Sequence, residues 1–86
     1  MTYKINIEKR AAKKLENIDE PDYKRIKSAV LNLANNPRPV GYKKLRNREA
    51  YRITVGNYRI IYEIINDILL VNVITLGHRK NVYRNI

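Results

Sequence analysis

The residues whose types and spacing could do chemistry are cations. Lys43, Lys44, Arg46 and Arg48 stand just ahead of a β-patterned stretch; Arg52 lies within it, Arg59 opens the next, and Arg79, Lys80 and Arg84 follow the last. Cations gathered near one patch hold polyanions, nucleic acid above all, through the charge on each phosphate. The plain alternative is a solvated face that merely keeps the protein in solution. Arg52 and Arg59 speak against that alternative, because each interrupts a run built of Tyr, Ile and Val. For Lys43, Lys44 and Arg48 the two readings are balanced. The single histidine, His78, has an intrinsic pKa of about 6.5, which suits acid–base work, although a histidine in a turn is equally ordinary surface.

Composition repeats the signal over the whole chain. Its 86 residues carry 18 Lys and Arg against 8 acids, a formal charge of +10. Such a field draws in polyanions and speeds encounter with them, as it would for a basic ribosomal or chromatin-like protein. The absence of cysteine excludes disulfides and thiolate metal sites and fits a reducing compartment. No apolar run approaches the roughly 18–20 residues of a membrane span, and the N-terminus is not signal-like. A cytoplasmic protein with no membrane attachment is expected. A hydrophobic fraction of 44% fits a folded domain, and the length allows one domain over residues 1–86.

The elements that must position the cations follow from hydrophobic period. Thr2 to Ile7 alternates Tyr3, Ile5 and Ile7 with polar neighbours, which predicts a half-buried strand. Ala11, Leu15 and Ile18 fall at helical spacing. Asp19-Glu20-Pro21 breaks the chain and restarts it as a second helix with an acidic cap and Pro at its first position. Tyr23, Ile26, Val30 and Leu33 mark the buried stripe of that helix, and Asn35-Asn36-Pro37-Arg38-Pro39 ends it. The period then changes to two. Tyr51 to Val55 and Tyr58 to Ile65 read as strands joined at a tight Gly56-Asn57 turn, and Ile68 to Leu76 as a third. The expected fold is α+β: an N-terminal strand, a helical hairpin, then a three-stranded antiparallel meander with the helices on one sheet face. The other face stays open for the basic residues. Tyr58 and Tyr62 are assigned to structure, and Tyr51 fits either packing or base stacking.

Two tyrosine–arginine pairs, Tyr51-Arg52 and Tyr58-Arg59, bracket the hairpin. Together with Leu45-Arg46, the run from Tyr51 to Tyr62, and Gly77-His78-Arg79-Lys80-Asn81-Val82-Tyr83, they resemble the signature stretches of RelE-type toxins in the RelE/ParE superfamily. The likeness includes Arg10-Ala11 and Asn36-Pro37-Arg38 and spans nearly the whole chain.

The resemblance implies a toxin of a type II toxin–antitoxin system that cuts mRNA in the ribosomal A site without a metal or other cofactor. The RNA's own 2′-hydroxyl attacks the adjacent phosphate, leaving a 2′,3′-cyclic phosphate and a free 5′-hydroxyl. Such a step needs a base, an acid and cations for the developing charge. Scattered acids suit this plan better than a two-metal nuclease, which needs clustered carboxylates. Arg59 and Arg79 match the family arginines that grip the scissile phosphate, and Tyr83 matches the tyrosine that stacks on a base or moves the proton. Arg52 stands where the best-known members carry lysine, and Arg46 fits an RNA contact. Thr54 departs from the pattern, since catalytically strong relatives usually carry Lys or Arg there. The implied site is therefore Arg52, Arg59, Arg79, Tyr83 and His78, with Lys43, Lys44, Arg46, Arg48 and Lys80 as RNA contacts. The implied partners are the ribosome, mRNA and a RelB-like cognate antitoxin that covers the toxin with a wrapping segment. The rival readings are a ParE-like inhibitor of DNA gyrase and a basic RNA-binding module without activity.

Overall fold

Apolar residues three or four apart in the first half of the chain fold as helices, and those two apart in the second half fold as strands. The computed structural model describes residues 2–82. In chain order these form β1 (Lys4–Ile7), α1 (Lys9–Glu16), α2 (Asp22–Asn32), β2 (Lys43–Lys44), β3 (Tyr51–Val55), β4 (Tyr58–Ile65) and β5 (Leu70–His78). The strands make one five-stranded sheet in the order β1-β5-β4-β3-β2. β2 to β5 run as an antiparallel meander. β1 joins β5 in parallel, with Ile5 opposite Val71 and Ile7 opposite Val73, so β5 is an interior strand.

The expected three-stranded meander thus gains a fourth member. β2 is invisible to a hydrophobic pattern, because two adjacent lysines carry no apolar alternation; they pair with Arg52 and Tyr51. β3 and β4 occupy the residues expected of them. β5 starts at Leu70 rather than Ile68, because Asn66–Ile68 winds into a 3-10 turn and Leu69 takes a φ of +50°. Val55 pairs with Tyr58 across Gly56-Asn57, and Gly56 adopts φ +59°, which costs a residue without Cβ nothing. Pro21 sits at the cap of α2 rather than inside it, and no side chain caps that end. Its first turn is closed instead by the Tyr23 amide donating to the Asp19 carbonyl.

The helices bury their apolar stripes on one sheet face. Ala11 and Leu15 of α1 and Ile26, Val30 and Leu33 pack against Ile53, Ile60, Tyr62, Val71, Val73 and Leu76. A bulge keeps β5 in phase with this core. Ile61 pairs with Thr75 but Tyr62 pairs with Val73, so Ile74 is the extra residue. Without that insertion, Thr75 rather than Leu76 would continue the face begun by Val71 and Val73.

Tyr62 is fully buried, and its hydroxyl donates to the Pro37 carbonyl at 2.7 Å, tying the segment after α2 to the sheet. Burial pushes this phenol well above its ordinary value of 10.0. The folded state therefore keeps Tyr62 neutral while the unfolded chain ionises it, so its contribution is complete below pH 10.0 and declines as pH rises further. Tyr62→Phe is expected to cost about 1–3 kcal/mol at neutral pH by leaving the buried Pro37 carbonyl unsatisfied. It should also flatten the alkaline decline in stability. Urea unfolding of both proteins on either side of pH 10.0 checks this, and an identical alkaline slope in the variant refutes the assignment.

The second face is only partly open, contrary to the sequence expectation. Ala50 and Val82, with Leu45 beside them, cover Ile61 and Ile74 in a small apolar cluster. The loop after β2 folds back to supply two of these residues, closed by the Leu45 amide on the Ala50 carbonyl at 2.8 Å. Folding back removes Ile61 and Ile74 from water, a gain of about 1.5–3 kcal/mol per fully buried branched side chain. Near the Gly56-Asn57 turn, Thr54 on this face is exposed.

Candidate nucleic-acid interface

Strand alternation decides which cations share that face. In β3, Tyr51, Ile53 and Val55 belong to the helix-side core, so Arg52 and Thr54 belong to the other face. In β4, Tyr58, Ile60 and Tyr62 are helix-side, which leaves Arg59 and Ile61 beside Arg52 and Thr54. The register makes this concrete: Lys43, Arg52, Ile61 and Thr75 form one row across the sheet, and Thr54, Arg59 and Gly77 form the next. Arg52 and Arg59 are thus diagonal neighbours, roughly 7–8 Å apart along the pleat. One Nη of Arg52 also donates to the Thr54 hydroxyl at 3.4 Å.

Gly77 adds no side chain beside Arg59. Among the described residues, a methyl group there would meet only the Val82 side chain, at 3.9 Å, which is ordinary contact. Packing therefore does not demand glycine, and its presence in a strand weakens the ladder unless something else must come close. Arg79 follows two residues later. Its amide donates to the Asn57 carbonyl at 2.8 Å, carrying the β4–β5 ladder one bond past the strand. Arg52 and Arg59, apart in sequence, thus share one sheet face, and the Arg79 backbone is held beside the hairpin turn that joins their strands.

His78 is not gathered with them. It pairs with Tyr58, and the two rings meet edge to face at 5.8 Å, on the side opposite Arg59. Its Nδ1 accepts the Lys80 amide at 3.3 Å, and its carbonyl accepts the Asn81 amide at 2.8 Å. The strand's period of two is the reason: a residue next to Gly77 must face the other way. His78 holds the turn that carries Arg79 and Lys80 and faces away from Arg59. Tyr83 lies outside the described residues.

The remaining cations divide. Lys43 stands opposite Arg52 and joins its face. Lys44 stands opposite Tyr51, pairs with Glu49 at 2.9 Å, and has its pKa raised by that hydrogen bond. Arg46, Arg48 and Lys80 are exposed in the flanking loops. Tyr51 resolves to packing, with its ring 5.7 Å from Tyr42 and 6.0 Å from Tyr62. Sequence reasoning gave no role to Arg10 or Lys14 of α1, which reach β5: the Arg10 Nε donates to the Ile74 carbonyl at 3.4 Å and the Lys14 Nζ to the Thr75 hydroxyl at 3.2 Å. The spacing of Lys9-Arg10 and Lys13-Lys14 four apart was the available signal.

A separate cavity of about 520 Å³ lies on the helix side, between the end of α2 and β3. Leu33, Pro39, Val40, Ile53 and Val55 are among its walls, and no titratable side chain lines it. β2 pairs only with Arg52 and Tyr51, so the backbone edge of Ile53–Val55 borders this cavity without a β2 partner.

Known proteins share this fold. The sequence model of the ParE toxin family of type II toxin–antitoxin systems matches residues 5–83. The chain belongs to the RelE/ParE toxin superfamily. A chain named RelE1 from Methanocaldococcus jannaschii is 27% identical over 99% of both sequences. Among solved structures, RelE in the archaeal RelE–RelB complex of Pyrococcus horikoshii superposes with a TM-score of 0.82, at 26% identity over 94% of this chain and 99% of that one. A chain of the RelB–RelE complex from Methanococcus jannaschii gives 0.74, at 28% identity over 94% and 98%. An E. coli RelE mutant in the free state gives 0.77, at 25% identity over 93% and 86%. This chain is a toxin of a type II toxin–antitoxin system, with the α+β fold of RelE. Among its described residues no helix is long and apolar enough to cross a membrane.

Proposed function

We propose that this RelE/ParE toxin is an endoribonuclease that cuts mRNA in the ribosomal A site, by attack of the RNA's 2′-hydroxyl on the adjacent phosphate and without a metal. The observation that supports the reading is the register that makes Arg52 and Arg59 diagonal neighbours, with Gly77 next to Arg59 and the Arg79 amide bonded to the Asn57 carbonyl. A phosphate seated there gains preorganised donors for the charge that accumulates as the 2′-oxygen adds, and this preorganisation is the main source of rate in such reactions. Arg59 is central, flanked by Thr54 on one strand and Gly77 on the other. Lys43, Arg46, Arg48 and Lys80 extend the attraction to the flanking RNA. Proton transfer falls to Tyr83 or to a ribosomal group rather than to His78, whose ring is turned away.

The test is to incubate the protein with programmed ribosomes and map the mRNA ends. Cleavage products with 2′,3′-cyclic phosphate and 5′-hydroxyl ends within the A-site codon are expected, the ends that attack by the 2′-hydroxyl leaves. Intact message overturns the reading. A second reading, a gyrase poison, is favoured by the ParE family match and by Thr54, which adds no charge where a cation would help. Inhibition of gyrase supercoiling with intact message would establish it instead.

Thr54 also gives a gain-of-function prediction. Thr54→Lys adds a cation directly opposite Arg59. Cleavage on ribosomes should rise by roughly tenfold, the worth of about 1.4 kcal/mol from one charge-assisted contact. Unchanged or slower cleavage would show that the phosphate does not sit over this row.

The partner we propose is an antitoxin whose extended segment wraps the toxin, supported by the RelB-bound RelE structures from Pyrococcus horikoshii and Methanococcus jannaschii. The uncovered backbone edge of Ile53–Val55, with an apolar cavity beside it, offers such a segment hydrogen bonds and a place for one side chain. The formal charge of +10 favours an acidic one.

A further inference from the structure

We propose that α1 is a second RNA-binding surface, in which Lys9, Arg10, Lys13 and Lys14 hold a sugar–phosphate backbone beyond the strand that is cut. The inference rests on the reading of this toxin as RNA-directed, and adds a surface separate from the arginine site.

Four of the eight residues of α1 are cations. Lys9 and Lys13, and Arg10 and Lys14, stand four apart, where like charges on a helix repel. Lys9 and Arg10 occupy the first turn, where the helix dipole disfavours positive charge, and no acid shares that turn. Glu8 at the N-cap makes no side-chain cap bond; its carboxylate accepts the Asn72 amide instead. Among the described residues no carboxylate lies within ion-pairing distance of Lys9, Lys13 or Lys14. A helix that only had to cover the core through Ala11 and Leu15 would not concentrate charge this way.

The packing says where this charge goes. Lys14 donates to the Thr75 hydroxyl and Arg10 to the Ile74 carbonyl, so both side chains lie along β5. Thr75 belongs to the row that continues through Ile61 to Arg52 and Lys43. Ile61 and Thr75 within that row are fully buried, so the cations of α1 and those of the arginine site flank a covered apolar patch. Four residues of helix advance about 6 Å, comparable to the distance between adjacent phosphates along an RNA strand. Two pairs of cations at this spacing fit a nucleic-acid backbone better than an isolated acidic group.

The test uses the full chain and the double variant Lys9→Gln/Lys13→Gln, which alters two exposed lysines outside the arginine site. Lys24→Gln/Arg25→Gln on exposed positions of α2 removes the same charge elsewhere and serves as control. The probe is a labelled RNA hairpin with a 2′-O-methyl backbone that cannot be cut, and its affinity is measured across a range of KCl concentrations. The α1 variant should bind more weakly, with the slope of log K against log salt smaller by roughly 1.4–1.8 for two lost phosphate contacts. Its melting temperature should hold or rise, because repulsion along α1 is relieved. The α2 control should keep the full slope. Equal slopes in wild type and the α1 variant overturn the proposal, as does an equal loss in the α2 control, which would mean net charge alone. Weakened binding of poly-glutamate with unchanged RNA affinity also overturns it and marks α1 as a protein-binding surface. Failure of the nuclease reading would appear separately, as intact message in the wild-type ribosome assay.

Discussion

Replacing Arg59 by alanine is expected to slow mRNA cleavage on programmed ribosomes by about 10²–10³-fold, the usual loss when one preorganised donor to a developing charge is removed. Arg59 is the cation that the sheet surrounds, with Thr54 opposite it on β3 and Gly77 on β5. Arg52, its diagonal neighbour, keeps one Nη on the Thr54 hydroxyl and cannot cover the same position without leaving it. Arg59→Lys should recover part of the rate, because it keeps the charge but not the planar fork. Ribosome binding should fall far less than the cleavage rate in both variants, since other cations remain. Single-turnover cleavage with saturating ribosomes makes the measurement. Equal losses in binding and chemistry would show that Arg59 only attracts RNA, and a wild-type rate would remove it from the site.

The second large effect is on folding. Ile60→Ala should destabilise the protein by about 2–5 kcal/mol, the range for truncating a fully buried branched side chain. Ile60 is fully buried on β4, between Ile53 on β3 and Leu76 on β5, beneath the helices. Neighbouring strands are held by their ladders and cannot collapse into the space. Small domains have total stabilities of about 5–15 kcal/mol, so the loss brings a marginal one near unfolding. Chemical denaturation of both proteins measures it. Because Arg59 is adjacent in sequence, any surviving activity should be read at a temperature where the variant is folded. A change below 1 kcal/mol would mean that this part of the core repacks freely.

Much of the molecule is readable from local pattern. The stripe Ile26, Val30 and Leu33 places α2, and the alternation in Tyr51–Val55 and Tyr58–Ile65 marks β3 and β4 to the residue. The Gly56-Asn57 turn is chosen by two residues alone, because only a few backbone geometries close a two-residue hairpin. The excess of cations is a property of composition and needs no fold. These features depend on neighbours within a few residues, where propensity and period act directly.

Other features are settled by contacts between distant parts of the chain. Parallel pairing of Ile5 with Val71 joins segments 66 residues apart, and no short window carries it. The bulge at Ile61/Tyr62 changes which of Thr75 and Leu76 faces the helices, because the buried core, not the alternation, selects the phase. The apolar cover formed by Leu45, Ala50 and Val82 exists only once Ile61 and Ile74 stand together across two strands. The same packing turns His78 toward Tyr58 and brings Lys14 to Thr75. Local pattern fixes the type of the helices and of the longer strands, but not β2, along with the charge and the identity of the arginines. Which of those arginines share a surface depends on strand pairing across the fold, since a one-residue change of register reverses every side chain along a strand.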